Sequence, residues 1–319
     1  MLPGTVDVAA PDGPGHQINT GHLWDQALRA GLSIRNYGFF FDNIGPTIIN
    51  ANPPAQSVGY AANAALRPFT DPYFRGFDMN LPDFYLYNEW QREFDANYAA
   101  GGLPALTLLR LPHDHTGNFG TALAGVNTPQ LQVADNDYAV GLVAQKIANS
   151  RYKNDTLIFV IEDDSQDGGD HVEAHRSIAF VVGPYVKQHA LVSTSYNTVS
   201  VIRTIERILG LDPLNLNDAA ARPMADVFDI HQKEWSYDAT PSVLLYTTQL
   251  PLPAKTAGLR IPKQTHTAAY WAKVTKGLDF SKEDRVDEDV YNRILWKGIM
   301  GKKPYPGDAK EDERSRTLP

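Results

Sequence analysis

Cysteine is absent from the sequence, and its absence excludes three kinds of chemistry at once. The chain can form no disulfide, can offer no thiolate to a metal ion, and has no cysteine nucleophile. The cellular compartment stays open on this evidence.

Long apolar runs and an excess of basic residues are also missing. No stretch reaches the roughly 18 consecutive apolar residues that a membrane span needs, so we expect a protein that is not integral to a membrane. The first residues, MLPG, contain neither a basic region nor an apolar run, so no signal peptide is visible. A net charge of −8 disfavours a nucleic-acid-binding protein. It is compatible with small phosphoesters, which metal ions can hold on an acidic protein.

The composition predicts a globular protein. Apolar residues make up 43% of the 319 residues and aromatic residues 10%, which is enough for a sizeable core. Residues 1–19 and 42–80 are rich in Gly, Pro and Asn and are predicted to be irregular. Residues 231–319 are more polar and are predicted to form a helical extension that ends in a mobile tail. We therefore expect a core over 1–230 and an extension over 231–319.

Strands and helices alternate along the predicted core. The apolar runs LPALTLLRLP, TLIFVI and SIAFVVGPY are typical of strands that are covered on both faces. Helices are predicted after Thr20, from about Pro82 to Tyr98, after Thr128, and over TSYNTVSVIRTIERILG. Gly210 follows the last of these as a helix stop. This order predicts an α/β fold with a largely parallel sheet.

Acidic and histidine residues gather where the predicted strands end. His113, Asp114 and His115 follow the first apolar run, and two further groups follow the second: Glu162, Asp163 and Asp164, then His171 and His175. In open α/β sheets, ligands bind beyond the carboxyl ends of the strands. Carboxylates and imidazoles at such an edge match the needs of a divalent ion. A cation would also offset the repulsion among three adjacent acids.

Each signal also has a plainer explanation. Acids after a strand are often a solvated turn, and histidines four residues apart are often only polar surface. Arg176 has the shape to hold a phosphate bidentately, but it would equally pair with the nearby acids. Asp135 and Asp137 lie on a predicted helix, and we interpret them as a positioning device rather than as ligands. The combined placement after successive strands favours a metal or phosphate site.

Four segments together resemble a known family. These are LPHDHTGNFG, TPQLQVADNDYAVGLVAQKI, TLIFVIEDDSQDGGDHVEAHRSIAFVVGPYV and STSYNTVSVIRTIERILGL. They resemble the bacterial phosphoesterase family that includes phosphatidylcholine-type phospholipases C and certain acid phosphatases, within the alkaline-phosphatase-like superfamily. The resemblance covers about residues 20–230. It implies a three-layer sandwich with a mostly parallel sheet and a metal-dependent attack on phosphorus.

The resemblance also implies roles for individual residues. His115 would be catalytic, and His113 and Arg176 would bind phosphate. The implied metal ligands are carboxylates and an imidazole: Asp114, Glu162, Asp163, Asp164, and either His171 or His175, between which the resemblance leaves the choice open. The metal would be Mn²⁺, Zn²⁺ or Ca²⁺, and the substrate a small phosphoester. Family members often act in the periplasm or outside the cell.

Two features of the family are not matched. Its opening metal motif and its Ser or Thr nucleophile at a helix N-terminus find no counterpart, so we expect a domain that lacks its N-terminal part and first strands. Thr20, Thr116 and Ser165 are better explained as a helix cap and loop hydrogen-bonders. One alternative is therefore a non-catalytic module that binds a divalent ion or an anion without turnover. An exposed sheet edge would invite a second copy or a complementing chain. A two-carboxylate glycosidase that uses Glu162 fits the histidines poorly.

Overall fold

The structure, a computed structural model, describes residues 21–162, 177–255, 258–282 and 285–305. The strands are short, and they are β1 (Ile34–Tyr37), β2 (Phe41–Asn43), β3 (Gly59–Ala61), β4 (Leu106–Leu109), β5 (Ile158–Ile161) and β6 (Ala179–Val182). The α-helices are α1 (Leu23–Arg29), α2 (Asp83–Glu93), α3 (Pro129–Ala148), α4 (Thr198–Leu209), α5 (Leu216–Ala220), α6 (Ala268–Val274) and α7 (Glu288–Met300). A π-helical turn (Phe94–Tyr98) extends α2.

The described strands form three two-stranded sheets. β1 pairs in parallel with β4, whereas β2 pairs antiparallel with β3 and β5 pairs antiparallel with β6. A mixed α/β chain is confirmed, but the expectation of a largely parallel sheet does not hold for β5 and β6. The physical reason is that an apolar run reports burial and carries no information about strand direction.

The apolar runs of β5 and β6 are also less buried than the sequence predicted. Ile161 and Phe180 are 45% and 58% exposed, and Ile178 just before β6 is exposed as well. The prediction that β5 and β6 are covered on both faces is therefore not confirmed for the described residues. By contrast, Ile34 of β1 and Leu106 of β4 are buried and paired across the parallel ladder.

Local signals placed the long helices well. Thr128 caps α3 by accepting a hydrogen bond from the Leu131 amide at 3.3 Å, and Pro129 opens the helix as its missing N–H allows. Gly210 ends α4 with φ of 69°, the left-handed region in which glycine has no steric penalty. The cap of α1 is His22, and the predicted cap, Thr20, lies outside the described residues.

The main core lies between α2 and α3. Large side chains of α2 such as Trp90 and Leu86 pack in one cluster with Leu142 and Ile147 of α3, and Trp235 joins them from the C-terminal third. Burial of each such side chain stabilises the fold by about 1.5–3 kcal/mol before the entropy of ordering is subtracted. This packing fixes α2 relative to α3, which matters below because both helices contribute to the candidate site.

The C-terminal residues build a second, smaller cluster. Trp271 of α6 is completely buried and packs with Met79, Phe119, Phe280 and Tyr291. Trp235 is buried as well, so both tryptophans anchor the C-terminal residues by packing. We predicted a mobile tail over residues 302–319, of which 306–319 lie outside the described residues. Within the described chain, no helix combines the length and the apolar character that a membrane crossing requires.

Candidate metal and phosphate site

The predicted His-Asp-His motif lies just beyond the C-terminal end of β4. Hydrogen bonding with β1 continues past the ladder, because the Arg110 amide donates to the Tyr37 carbonyl at 3.0 Å. A single 3₁₀ turn, Pro112–Asp114, then reverses the chain. The turn directs His113 into the interior, where it is fully buried, and leaves Asp114 and His115 half-buried. We call residues 113–118 the site loop.

His113 lies between two aspartates from different helices. Its Nδ1 atom is 2.8 Å from Oδ2 of Asp135 on α3, and its backbone amide donates to Oδ2 of Asp83 on α2 at 3.1 Å. All three residues are 0% or nearly 0% exposed. One possible ligand atom from each lies within 4.8 Å of the others. We call Asp83, His113 and Asp135 the buried triad.

The start of α2 explains why Asp135 is needed. Pro82 precedes the helix and has no side chain that can cap it. Asp135 supplies the cap from α3: its two oxygens accept the amides of Asp83 at 2.6 Å and Phe84 at 3.2 Å. A carboxylate at a helix N-terminus satisfies free N–H groups and interacts favourably with the helix dipole.

Asn136 ties the same helices to the chain that enters the site loop. Its side-chain amide donates to Oδ2 of Asp83 at 2.9 Å and to the carbonyl of Leu111 at 2.9 Å. The predicted polar patch around Asp135 thus does act as a positioning device. The sequence did not reveal that Asp135 also joins a group of possible metal ligands.

Burial and neighbouring charges shift the pKa values of Asp83 and His113. It raises the pKa of Asp83 to about 7, against the lowering effect of His113, and Asp135 adds repulsion. Burial alone would lower the pKa of His113, but the neighbouring Asp83 and Asp135 outweigh it and raise that pKa. The two carboxylates therefore favour the protonated form of His113, and His113 in turn favours the ionised form of Asp83.

The triad passes a simple test for metal binding. Oδ1 of Asp83 is buried and has no hydrogen-bond partner among the described residues. An unpaired buried polar atom is costly, and a cation would satisfy this oxygen. Two carboxylates and one imidazole are a donor set for borderline divalent ions. The buried Asp-His-Asp group thus has the chemistry to hold a metal ion.

The second half of the site loop has an unusual backbone. Thr116, Gly117 and Asn118 have φ values of 52°, 159° and 49°, in regions that L-residues rarely adopt. Gln132 of α3 holds the middle of this stretch: its Oε1 accepts the Gly117 amide at 2.7 Å, and its Nε2 donates to the Gly117 carbonyl at 2.8 Å. Strained backbone of this kind persists only where the surroundings enforce it.

The structure describes four of the predicted site residues. His113, Asp114 and His115 share the site loop, and the His115 ring contacts Phe77 edge-on at 5.2 Å between ring centres. Glu162 follows β5, where its Oε2 accepts the amide of Ile178 at 3.3 Å. The other predicted residues lie outside the described residues: Asp163, Asp164, His171, His175 and Arg176. Their roles as ligands and phosphate binder stay predictions.

Two outcomes differ from sequence reasoning. His113 was expected to bind phosphate, whereas the structure places its ring in the interior against Asp135. Asp83 was missed, because it reads as the acidic first residue of a helix after Pro82. The only available signal was that this helix has no capping side chain of its own, so its start had to be capped from elsewhere.

Comparison with known families gives one result. The model of a family described as the phosphoesterase family matches residues 35–212, which is more than half of the chain. The matched region contains the whole site loop and the buried triad. No curated protein matches the chain.

Proposed function

Because the chain belongs to the phosphoesterase family, we propose that it is a metal-dependent hydrolase of small phosphoric esters. The observation that carries the proposal is the buried triad, which lies in the matched region and has the donor set for a divalent ion. Its histidine, His113, directly precedes Asp114 and His115, the half-buried residues of the site loop. The buried triad, which has side chains able to bind a metal ion, and the half-buried pair Asp114 and His115 thus lie together at one end of the parallel β1–β4 pair.

The proposal assigns different tasks to buried and accessible residues. A substrate phosphate must reach the groups that bind it, and His113 offers no exposed surface. We therefore assign phosphate contact to His115 and ligation of a substrate-accessible ion to Asp114. His113 becomes a positioning residue, or a ligand of an ion that is shielded from solvent. Glu162 is the described member of the second acidic group, and the proposal extends to the predicted residues Asp163, Asp164, His171, His175 and Arg176.

The protein's own groups would orient the ester. When bound, a divalent ion of the Mn²⁺, Zn²⁺ or Ca²⁺ type offsets the negative charge that develops on phosphoryl oxygens. The edge-on contact with Phe77 restricts the orientation of the His115 ring. The turn over Pro112–Asp114 holds Asp114 next to it. Positioning of this kind supplies a large part of the rate in phosphoryl transfer.

A non-catalytic module that binds an ion without turnover is the second candidate. It is favoured by the state of Thr116, one of the three hydroxyls near the predicted site. Thr116 is buried, and its Oγ1 lies 2.6 Å from the hydroxyl of Tyr291. This hydroxyl is already engaged and is not presented to a substrate. A nucleophile would have to come from elsewhere.

Calorimetry and hydrolysis assays together separate the two candidates. Mn²⁺ and Zn²⁺ are titrated into the metal-free chain, and hydrolysis of p-nitrophenyl phosphate and p-nitrophenyl phosphocholine is followed with and without chelator. We expect saturable binding and chelator-sensitive hydrolysis, both of which weaken in Asp114→Asn. Asp137→Asn removes a charge from an exposed position of α3 and serves as the matched control.

Three results are informative. Binding and hydrolysis that are both lost in Asp114→Asn support the proposal. Binding without hydrolysis supports the non-catalytic module. An absence of saturable binding by the native chain, or an Asp114→Asn variant that behaves like Asp137→Asn, contradicts the proposed metal site.

A further inference from the structure

The site loop is contacted by residues that lie far beyond the matched family region. Tyr291 of α7 is 175 positions away from Thr116, yet the two hydroxyl oxygens are 2.6 Å apart. Both residues are buried, at 4% and 5% exposure. A hydrogen bond between two buried hydroxyls stabilises the folded state, because breaking it leaves a polar atom unpaired in the interior. The C-terminal extension therefore meets the site loop at a specific polar contact.

A second contact lies at the next residue. The ring of Phe280 packs so closely on the backbone of Gly117 that any Cβ atom at that position would overlap the ring. Phe280 in turn packs edge-on against Tyr291, with 5.3 Å between ring centres. A close approach to backbone is one of the roles for which only glycine serves. Thus one aromatic pair covers Thr116 and Gly117 together.

The aromatic pair is itself firmly held. Phe119, just after the site loop, packs against Phe280 and against Trp271, with ring centres 6.4 Å and 5.9 Å apart. Trp271 is completely buried and belongs to the same cluster as Tyr291. Dense packing of large rings transmits position from one element to the next. The extension therefore has the rigidity to impose a conformation on the loop.

The loop in turn needs an imposed conformation. The positive φ values of Thr116 and Asn118 are conformations that are costly for residues with a side chain. Gln132 restrains one side through Gly117, and Tyr291 restrains the other through Thr116. If one restraint is removed, the loop can relax toward ordinary backbone angles. Such a relaxation would move Asp114 and His115, which immediately precede the strained stretch.

We infer that Tyr291 is a positioning residue for the site loop: through Thr116 it keeps Asp114 and His115 in the geometry that ion and phosphate binding require. This inference rests on the proposed function, and it assigns the C-terminal extension a part in the site. Tyr291 touches neither ion nor substrate. It acts only through the loop, so its removal should change the geometry of Asp114 and His115 while leaving their chemistry intact.

The test uses the full chain and hydroxyl-deleting variants. Tyr291→Phe and Thr116→Val each remove one partner, and the double variant completes a cycle. Tyr270→Phe, on α6 of the same extension with its ring stacked on His266 at 3.7 Å, is the control. Thr116→Ser keeps the hydroxyl and tests rescue. The readouts are Mn²⁺ affinity, kcat and KM for p-nitrophenyl phosphate, melting temperature, and hydrogen exchange of the amides of residues 113–118.

We expect Tyr291→Phe to weaken Mn²⁺ binding on the order of tenfold, the lower end for loss of a group that orients a ligand. The variant should lower kcat more than it raises KM, and exchange in the site loop should become faster. The double variant should be no worse than the worse single variant, since both remove the same bond. Thr116→Ser should recover most of the Mn²⁺ affinity that Thr116→Val loses, and Tyr270→Phe should behave like the native chain.

Failure of the inference is distinguishable from failure of the proposed function. If the native chain neither binds Mn²⁺ nor hydrolyses the ester, the proposed function fails, and loop exchange alone then decides the inference. If Tyr291→Phe only lowers the melting temperature, with native exchange in residues 113–118, the tyrosine merely packs and the inference is overturned. Additive effects of the two single variants would overturn it as well.

Discussion

Nδ1 of His113 lies 2.8 Å from Oδ2 of Asp135, and neither side chain is exposed to solvent. The same carboxylate accepts the first two amides of α2, at Asp83 and Phe84. One side chain therefore joins the helix α3 on which it stands, the start of α2, and the site loop. Removal of such a group affects three elements together.

Asp135→Ala should be strongly destabilising. The variant leaves His113 without its partner and the first turn of α2 without its cap, and breaking one side of a buried ion pair costs about 3–5 kcal/mol. Urea unfolding followed by circular dichroism measures the loss. Asp137→Ala, two residues along the same helix at an exposed position, should change the free energy of unfolding by no more than about 0.5 kcal/mol. Equal stability of the two variants would contradict the role assigned to Asp135.

Elements that depend on neighbouring residues could be predicted from the sequence. The start of α3 follows from Thr128 and Pro129, and the end of α4 follows from Gly210. These signals are local, because a cap bonds to an amide only a few residues away. The position of His113, Asp114 and His115 after a strand was likewise correct, since a strand and its following turn are contiguous in the chain.

Features that depend on distant residues could not be predicted. Asp83 and Asp135 are 52 positions apart, and only the packing of α2 on α3 brings them together. The direction of β6 relative to β5 was also missed, because hydrophobic periodicity is the same in parallel and antiparallel strands. The contact of Tyr291 with Thr116 leaves no trace in the sequence around either residue.

Gly298→Ala tests the packing of α7 against Trp271. Alanine is favoured over glycine in a helix by about 1 kcal/mol, so helix propensity alone predicts stabilisation. The added methyl group would overlap the fully buried indole of Trp271, and such overpacking typically costs 1–3 kcal/mol. The steric cost should win, and thermal unfolding should show a lower melting temperature.

Gly141→Ala in α3 is the matched control. Its new methyl group would meet the hydroxyl of Tyr237 at 3.3 Å, and the exposed Tyr237 side chain has room to shift. The propensity gain should therefore dominate, and the variant should be as stable as the native chain or more so. Stabilisation at both positions would show that α7 does not pack closely on Trp271.

Gln132→Leu tests the restraint on the site loop from the side of α3. Gln132 is fully buried, accepts the Gly117 amide, and donates to the carbonyls of Gly117 and Met79. Leucine has a similar size but leaves these backbone groups unpaired, at about 1–3 kcal/mol for each unsatisfied group. We expect a loss of stability in urea together with faster hydrogen exchange at Gly117. Gln130→Leu, half-buried on the same helix, should show neither effect.

The pH dependence of stability should reveal a pair of carboxyl groups that shares a proton. Asp71 and Glu93 are both buried, and Oδ2 of Asp71 receives no hydrogen bond from the described residues, so a proton on Asp71 would let it donate to Glu93. Glu93 also accepts bonds from Arg35 at 2.8 Å and Tyr98 at 3.2 Å. Burial raises the pKa of Asp71 to about 8, and the bond to Glu93 adds to the rise. The proton therefore belongs to Asp71.

A raised pKa in the folded state fixes the sign of the effect. An unfolded aspartate has a pKa near 3.9, so the folded chain holds the proton more tightly. The stability that the pair contributes is complete below about pH 4 and is lost as the pH rises through about 8. The charges of Arg35, Glu89 and Arg92 and the neutral hydroxyls of Tyr37 and Tyr98 surround the pair and shift the midpoint, but they do not reverse this direction.

Asp71→Asn should abolish that loss. The amide donates to Glu93 as the protonated acid does, but it has no proton to release. Near pH 4 the variant and the native chain should unfold at similar urea concentrations, whereas near pH 9 the variant should be the more stable of the two. Asp238→Asn, an exposed aspartate, controls for the removal of one negative charge. An Asp71→Asn variant that loses stability with rising pH as steeply as the native chain would show that Asp71 carries no proton in the fold, and that Arg35 instead neutralises both carboxylates.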